Sequence, residues 1–249
     1  MKKITIIIIG IFTFFCSNAQ IGGVYMTKYS AYSAYSVSKH SVDLETSFNF
    51  SKVTAEWDSY GVKQNIAPFF SNDIGFSAIY GISNKFESGI YIPSDVSGLS
   101  WGAKYRLIEG NVFSFATIAG VNLDFSTKNA FSDAGLGTVF TFDLSENFST
   151  DVDFQFMSNF SDIKNNFNYG FYANLNSSYY LSFIQCIFGL NFYQTQYDNL
   201  VSQNLIFSPA FGVEPSEKYF ILISFPISVY GKNDLKTVGF SFTIGFYLE

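Results

Sequence analysis

The residues able to do chemistry are few, and their scarcity is informative. His40 is the single histidine and Arg106 the single arginine of the 249 residues. A Ser-His-acid or Cys-His relay needs a histidine held between two partners. His40 precedes the first strand pattern and offers no such setting. Cys16 and Cys186 are the two cysteines. Cys16 lies in a leader-like stretch, which leaves Cys186 without a disulfide partner or a multi-cysteine metal site. It alternates with Ile184, Phe188 and Leu190 and reads as an apolar filler. Phosphate-binding glycine loops, HExxH and dinucleotide fingerprints are missing. The remaining candidates are charges on otherwise small or polar strand faces: Asp43, Glu45, Glu87, Lys104, Arg106, Asp124, Asp143, Asp151 and Asp153. Buried charges demand partners. These groups would therefore form either an ion-pair network that stiffens an interior or a polar constriction that selects solutes. We expect no enzyme activity, cofactor or metal.

The elements that must position these charges are strands. From about residue 40 the sequence alternates with a period of two. In the last segment Val238, Phe240, Phe242, Ile244, Phe246 and Leu248 face one way, and Gly239, Ser241, Thr243, Gly245 and Tyr247 the other. Large apolar residues on one face and small or polar ones on the other suit a strand between lipid and a lumen. The preceding segment places Ile221, Ile223, Phe225, Ile227 and Val229 outside, with Leu222, Ser224, Pro226, Ser228 and Tyr230 inside. Pro226 cannot donate to a ladder, so a bulge or irregular pair is expected there, with Pro209 across from it. Residues 113–125 alternate too, except that Ile118 falls on the polar face. Tyr91, Trp101, Tyr105, Tyr169, Tyr179, Tyr180 and Tyr219 fall near strand ends and suggest interfacial belts.

The spacing predicts about twelve strands, near 40–50, 72–82, 86–93, 98–107, 112–125, 134–144, 148–157, 168–176, 181–193, 204–213, 220–230 and 238–248. An even count suits a bacterial single-chain barrel. Short links at 83–85, 108–111, 145–147, 177–180 and 214–219 alternate with mostly longer ones, of which 51–71 is the longest and reads as an outer loop. Lipid cannot hydrogen-bond an open sheet edge, so such strands must close on themselves. The expected fold is all-β: a closed antiparallel transmembrane β-barrel over residues 40–249. A periplasmic β-sandwich shares the alternation, but with shorter strands.

The N-terminus predicts export. Lys2 and Lys3 precede an apolar run from Ile4 to Phe15, and Ser17-Asn18-Ala19 supplies small residues for cleavage before Gln20. The run is short of the about 20 residues a helical span requires. Residues 1–19 are thus read as a signal peptide. Residues 20–39, with Tyr25, Tyr29, Tyr32 and Tyr35, are read as a periplasmic tail, a short plug or an extra strand. Losing Lys2 and Lys3 would take the net charge from −6 to −8. Phe and Tyr number 31 and 17, and charged residues make up 14%. With no basic stripe, nucleic-acid binding is not expected.

These segments resemble the outer-membrane β-barrel proteins of Bacteroidetes-type bacteria. The leader ending Ser17-Asn18-Ala19-Gln20 is similar to their export signals. Tyr80-Gly81-Ile82-Ser83-Asn84-Lys85-Phe86 resembles the hairpin turns of the barrel family named for the meta-pathway of phenol degradation. Ser145-Glu146-Asn147-Phe148 and Ser216-Glu217-Lys218-Tyr219 repeat the style. The likeness spans most of residues 40–249. The chain ends Phe246-Tyr247-Leu248-Glu249, whose final Glu departs from the aromatic end common in such barrels. The resemblance implies an outer-membrane channel or transport barrel for small solutes. A closed structural or ligand-binding barrel is the alternative, and a lipid-modifying enzyme a third reading. The implied partners are outer-membrane lipid and lipopolysaccharide, the barrel assembly machinery during biogenesis and a small solute, with the chain a monomer.

Overall fold

The computed structural model describes residues 21, 32–125, 131–160, 168–198, 200–216 and 218–249. The leader and most of the stretch before Tyr32 lie outside the described residues. Among the described residues every regular element is a strand: β1 (Val42–Trp57), β2 (Lys63–Ser83), β3 (Phe86–Pro93), β4 (Gly98–Ile108), β5 (Phe113–Asp124), β6 (Phe131–Ser145), β7 (Phe148–Asn159), β8 (Tyr169–Leu181), β9 (Ile184–Tyr197), β10 (Leu200–Ser216), β11 (Tyr219–Ser224), β12 (Ile227–Lys232) and β13 (Asp234–Leu248). All pair antiparallel with their sequence neighbours, and β1 pairs with β13 from Val42–Leu248 to Trp57–Asp234. That last ladder closes the sheet. β11 and β12 lie end to end between β10 and β13, so thirteen segments make a closed antiparallel barrel of twelve spans.

Alternation sets the two faces. On β7 Ser149, Asp151, Asp153 and Gln155 are buried, while Phe154 and Phe156 between them are exposed. Phe50, Leu136, Phe156, Phe188 and Phe211 are each more than half exposed to solvent. An apolar band of this kind, carried around the whole wall, fits hydrocarbon and not water. Neighbouring rings stack along it, as with Phe115 and Phe140 at 5.0 Å. Trp101, Tyr105, Tyr169, Tyr179 and Tyr219 face outward as expected of a belt, but Tyr91 and Tyr180 turn inward: the Tyr91 hydroxyl donates to Asp73 Oδ2 at 3.2 Å, and the Tyr180 hydroxyl accepts from Gln185 Nε2 at 2.8 Å.

The structure corrects four boundary expectations. Residues 51–71 are not a long loop: β1 runs on to Trp57 and β2 begins at Lys63. The alternation was hidden by a bulge between Val53 and Ala55, which shifts the phase of both ladders of β1. Residues 231–237 are likewise not a loop, because β12 and β13 turn at Asn233, whose φ of 49° makes a tight reversal. β10 starts at Leu200 rather than 204. The span over 220–230 is broken at Phe225–Pro226. There Phe225 N–H donates to Pro209 O at 2.9 Å, so Pro209 lies across from Phe225 and one step away from Pro226, not directly opposite it.

The β1–β2 turn is built on Asp58. Its carboxylate accepts the backbone N–H groups of Tyr60 at 2.8 Å and Val62 at 2.9 Å, and Gly61 supplies the required φ of 75°. Those bonds to Val62 and Tyr60 hold its pKa below the usual carboxylate value. Asp58 O also receives Asn233 N–H at 3.0 Å, tying the β12–β13 turn to this hairpin. A depressed folded-state pKa contributes order above the unfolded value near 3.9 and loses it as pH falls through the folded value. Asp58→Ala should therefore speed amide exchange at Tyr60, Val62 and Asn233 at neutral pH. In the parent the same amides should lose protection only on acidification below about pH 4, which hydrogen exchange with mass spectrometry will read.

Candidate functional site in the lumen

The barrel interior is occupied by the chain itself. Ile21, Tyr32, Ser33, Ala34 and Val37 are buried, and the wall holds them by their backbone. Ile21 N–H donates to Gln155 Oε1 at 3.1 Å, Tyr32 N–H to Asp153 Oδ2 at 2.9 Å, Ala34 N–H to Thr141 Oγ1 at 2.8 Å and Val37 N–H to Glu87 Oε2 at 2.7 Å. In return Ser33 O accepts from Lys104 Nζ at 3.0 Å. The Tyr32 hydroxyl donates to Ile21 O and the Tyr35 hydroxyl to Asp143. Residues 21 and 32–37, which have no ladder partner, have thus found partners in inward side chains, as buried backbone groups must.

The inner wall is shaped to the segment. A Cβ on Gly120 would come 2.5 Å from Ile21 Cγ2, and one on Gly81 would collide with the Ser38 and Val37 carbonyls. These two glycines give close approach of wall and segment. Ile118, which breaks the polar pattern of β5, is also explained. It joins Ile21, Tyr32, Ala34, Val139, Met157 and Tyr172 in an apolar cluster inside the lumen. Tyr230, expected inside, is instead exposed on the outer surface, because a bulge opposite Leu205–Ile206 changes the phase of β12.

Five of the nine charges named from the sequence meet around this segment: Glu87, Lys104, Asp143, Asp151 and Asp153. Lys104 and Glu87 form an ion pair of 3.0 Å in which both side chains are fully buried. Asp153 also accepts from Gln155 Nε2 at 2.8 Å and Asn174 Nδ2 at 2.9 Å. Asp151 accepts from Thr141 Oγ1 at 2.5 Å, so Thr141 relays Ala34 N–H to a carboxylate. Asp43 is buried on β1, and neighbouring Glu45 accepts from Ser77 Oγ at 3.2 Å. Arg106 belongs to a rim instead, bonded to Asn84 O at 2.6 Å and Glu109 Oε2 at 3.1 Å. Asp124 is half-buried where β5 ends. Most of these acids are thus satisfied by hydroxyls, amides and backbone N–H groups more than by cations. Beside the segment is a cavity of about 240 Å³ lined by Ser33, Tyr35, Thr141, Asp143, Asp151 and Tyr180, among others.

Several inward groups escaped the sequence reading. Asp133 and Asp234 are buried, and both precede the strand starts that the alternation predicts at 134 and 238. Asp133 shares its parity with Gly135 and Gly137, a signal that extending the period by one step would have caught. Thr141 and Gln155, uncharged and so not among the candidates, accept the segment's N–H groups at Ala34 and Ile21. His40 stays exposed at a rim, with Nδ1 3.0 Å from the Tyr80 hydroxyl.

Removing one partner of a buried pair strands the other charge, at a cost of about 3–5 kcal/mol. Lys104→Met should lose that much stability in urea unfolding of the detergent-folded barrel. Lys104→Met with Glu87→Leu should recover most of it, leaving about 1 kcal/mol for each lost bond to Ser33 and Val37. Equal losses in both variants would mean that charge pairing is not what Lys104 contributes.

No family model and no curated protein matches the chain. Solved structures do. The COG4313 outer membrane channel from Pseudomonas putida F1 superposes with a TM-score of 0.69 at 13% identity, over 86% of this chain and 98% of that one. The NanC porin gives 0.58 at 8% identity, over 82% and 98%. The KdgM porin in complex with disordered oligogalacturonate gives 0.55 at 9% identity, over 83% and 98%. At such identities the likeness concerns the fold alone, and that fold is the closed antiparallel barrel of twelve spans which these outer-membrane proteins share.

Proposed function

We propose that the chain is an outer-membrane channel for small solutes whose resting lumen is plugged by its own N-terminal segment. In this reading residues 1–19 are a cleaved signal peptide and 20–39 the plug. Residues 40–249 are a barrel sitting as a monomer among lipid and lipopolysaccharide after insertion by the assembly machinery. The barrel neighbours named as channels and porins, together with the hairpin style noted above, favour a transport family of the phenol meta-pathway type from Bacteroidetes-like bacteria over an enzyme. This reading puts the rim carrying His40 in the periplasm, since the links 84–85, 146–147, 182–183 and 217–218 there are short while the opposite rim carries most of the longer ones.

One observation carries the proposal. The interior is filled by a segment held chiefly through single hydrogen bonds to side chains, at Gln155, Asp153, Thr141 and Glu87, and not by a ladder of its own. A purely structural barrel would close its lumen with wall side chains. A detachable segment lets one barrel be shut or open. Its departure would uncover Glu87, Lys104, Asp151 and Asp153, an acid-rich lining that favours cations.

Planar-bilayer conductance of refolded residues 20–249 against residues 40–249 tests this. The longer chain should be nearly silent, with brief openings. The shorter should conduct steadily and prefer potassium over chloride, and Asp153→Asn should weaken that preference. Silence from a heat-modifiable, correctly folded 40–249 barrel would sink the channel reading and leave a closed structural barrel.

A further inference from the structure

The segment can leave the lumen only if its bonds to the wall weaken, and the acids on β1 show what would weaken them. Asp43 is fully buried. Among the described residues neither of its carboxylate oxygens meets a donor. Glu45, two residues along the same strand, stands within hydrogen-bonding reach of it. Glu45 in turn accepts the Ser77 hydroxyl at 3.2 Å. Ionised carboxylates are acceptors only, so two of them cannot bond to one another. Like charges in contact away from water cannot both be kept. A proton between the two acids removes both difficulties, one carboxyl donating and the other accepting.

The ladder register accounts for the want of another donor. Asp43 lies across from Ile79 on β2 and from Tyr247 on β13. Ile79 is apolar, and the Tyr247 ring packs against Phe220 at 5.7 Å. Glu87 on β3 and Lys104 on β4 are near enough for their charges to act on Asp43. From the segment, Tyr32 stands in the field of Glu45. Asp43, Glu45 and Glu87 against Lys104 leave two negative charges in excess, and a shared proton leaves one. Two bonds that hold the segment depend on this balance. Glu87 Oε2 accepts Val37 N–H at 2.7 Å. Lys104, paired with Glu87 at 3.0 Å, donates to Ser33 O at 3.0 Å.

We propose that Asp43 and Glu45 are a proton-binding site, that they share one proton, and that this proton latches the segment in the lumen. The latch rests on the reading of residues 20–39 as a detachable plug. Asp43 is the second residue of β1, next to the rim that carries His40, so buffer on that side reaches the pair. In alkaline buffer hydroxide takes the proton as water, and a second negative charge appears on the pair. That charge repels Glu87 and draws Lys104 away from Ser33 O. The segment then loses its holds at Val37 and Ser33 together, while those at Asp153 and Thr141 remain. The channel should therefore open more often without losing its plug altogether.

Two readouts test the site and the latch separately. Infrared difference spectra of the refolded 20–249 barrel, neutral against alkaline buffer, should show a protonated carboxyl stretch that is lost on the alkaline side. Asp43→Asn should remove that band, and so should Glu45→Gln. Either substitution leaves the pair with one negative charge and a donor in place, so both variants should stay folded and heat-modifiable. No band in the parent, or a band that survives both substitutions, overturns the shared proton. A response that follows sodium concentration instead of pH also overturns it, in favour of a bound ion. In planar bilayers, openings of the 20–249 barrel should become several-fold more frequent in alkaline buffer, and those of the two variants should not. An unchanged parent, or an equal rise in the variants, overturns the latch. The 40–249 barrel lacks the segment and should conduct steadily in both buffers. Silence there speaks against the channel itself, while the infrared band still decides on the proton.

Discussion

Lipid offers no donor or acceptor, so every backbone N–H and C=O of the wall has to be paired within the protein. The rest of the structure follows from that demand. It forces β1 to meet β13, since an unpaired edge on either would face hydrocarbon. It also decides how defects are handled. Pro209 and Pro226 remove two donors from facing strands, and the wall answers with Phe225 N–H to Pro209 O and Gly239 N–H to Pro226 O. Where pairing between β12 and β13 lapses, Ser228 and Asn204 stand in for backbone. The polar side chains there are consequences of a ladder that could not be completed.

The same rule operates inside, with a different outcome. A narrow lumen holds its inward residues away from bulk water, and an isolated carboxylate in such a place is costly. The chain has 14 Lys and Arg against 20 Asp and Glu, so it cannot answer all its acids with cations. It uses one buried pair, Lys104–Glu87, and otherwise turns neutral donors on the acids: Gln155 and Asn174 on Asp153, and Thr141 on Asp151. The N-terminal segment supplies further donors from its backbone. Segment and wall are therefore complementary in hydrogen bonding. Each has what the other lacks: free N–H groups on one side, acceptors in excess on the other.

Much of this was legible in the sequence because a period of two survives wherever a strand is regular. Closure, the number of spans, the outward Phe and the inward Asp151 and Asp153 all follow from it. It failed where the phase slips. The bulge at Val53–Ala55 concealed the upper halves of β1 and β2, and the one at Val229 put Tyr230 on the wrong face. The site was legible only as a set of charges. Which of them converge depends on ladder registers such as Glu87–Lys104 and Thr141–Asp151, and these link residues on neighbouring strands that no local pattern relates. Ile118 was the one residue whose misfit pointed to a partner, and that partner proved to be the N-terminal segment.

Register also divides the lumen into unlike halves. The strands from β2 to β7 present Glu87, Lys104, Asp143, Asp151 and Asp153, and the segment lies against them. The strands from β8 to β10 present amides that largely satisfy one another, Asn191 to Asn174 at 2.9 Å, Ser208 to Asn191 at 3.2 Å and Gln185 to Ser178 at 3.1 Å. A self-satisfied amide wall has little left with which to hold a peptide backbone. The segment is accordingly drawn to the charged side, and the interior beside β9 and β10 is left to Tyr193, Tyr197 and Leu200. That is also the side on which the wall is weakest, next to β12. The segment's bonds, on β3, β4 and β7, and the lapse in pairing between β12 and β13 thus lie on opposite sides of one closed sheet.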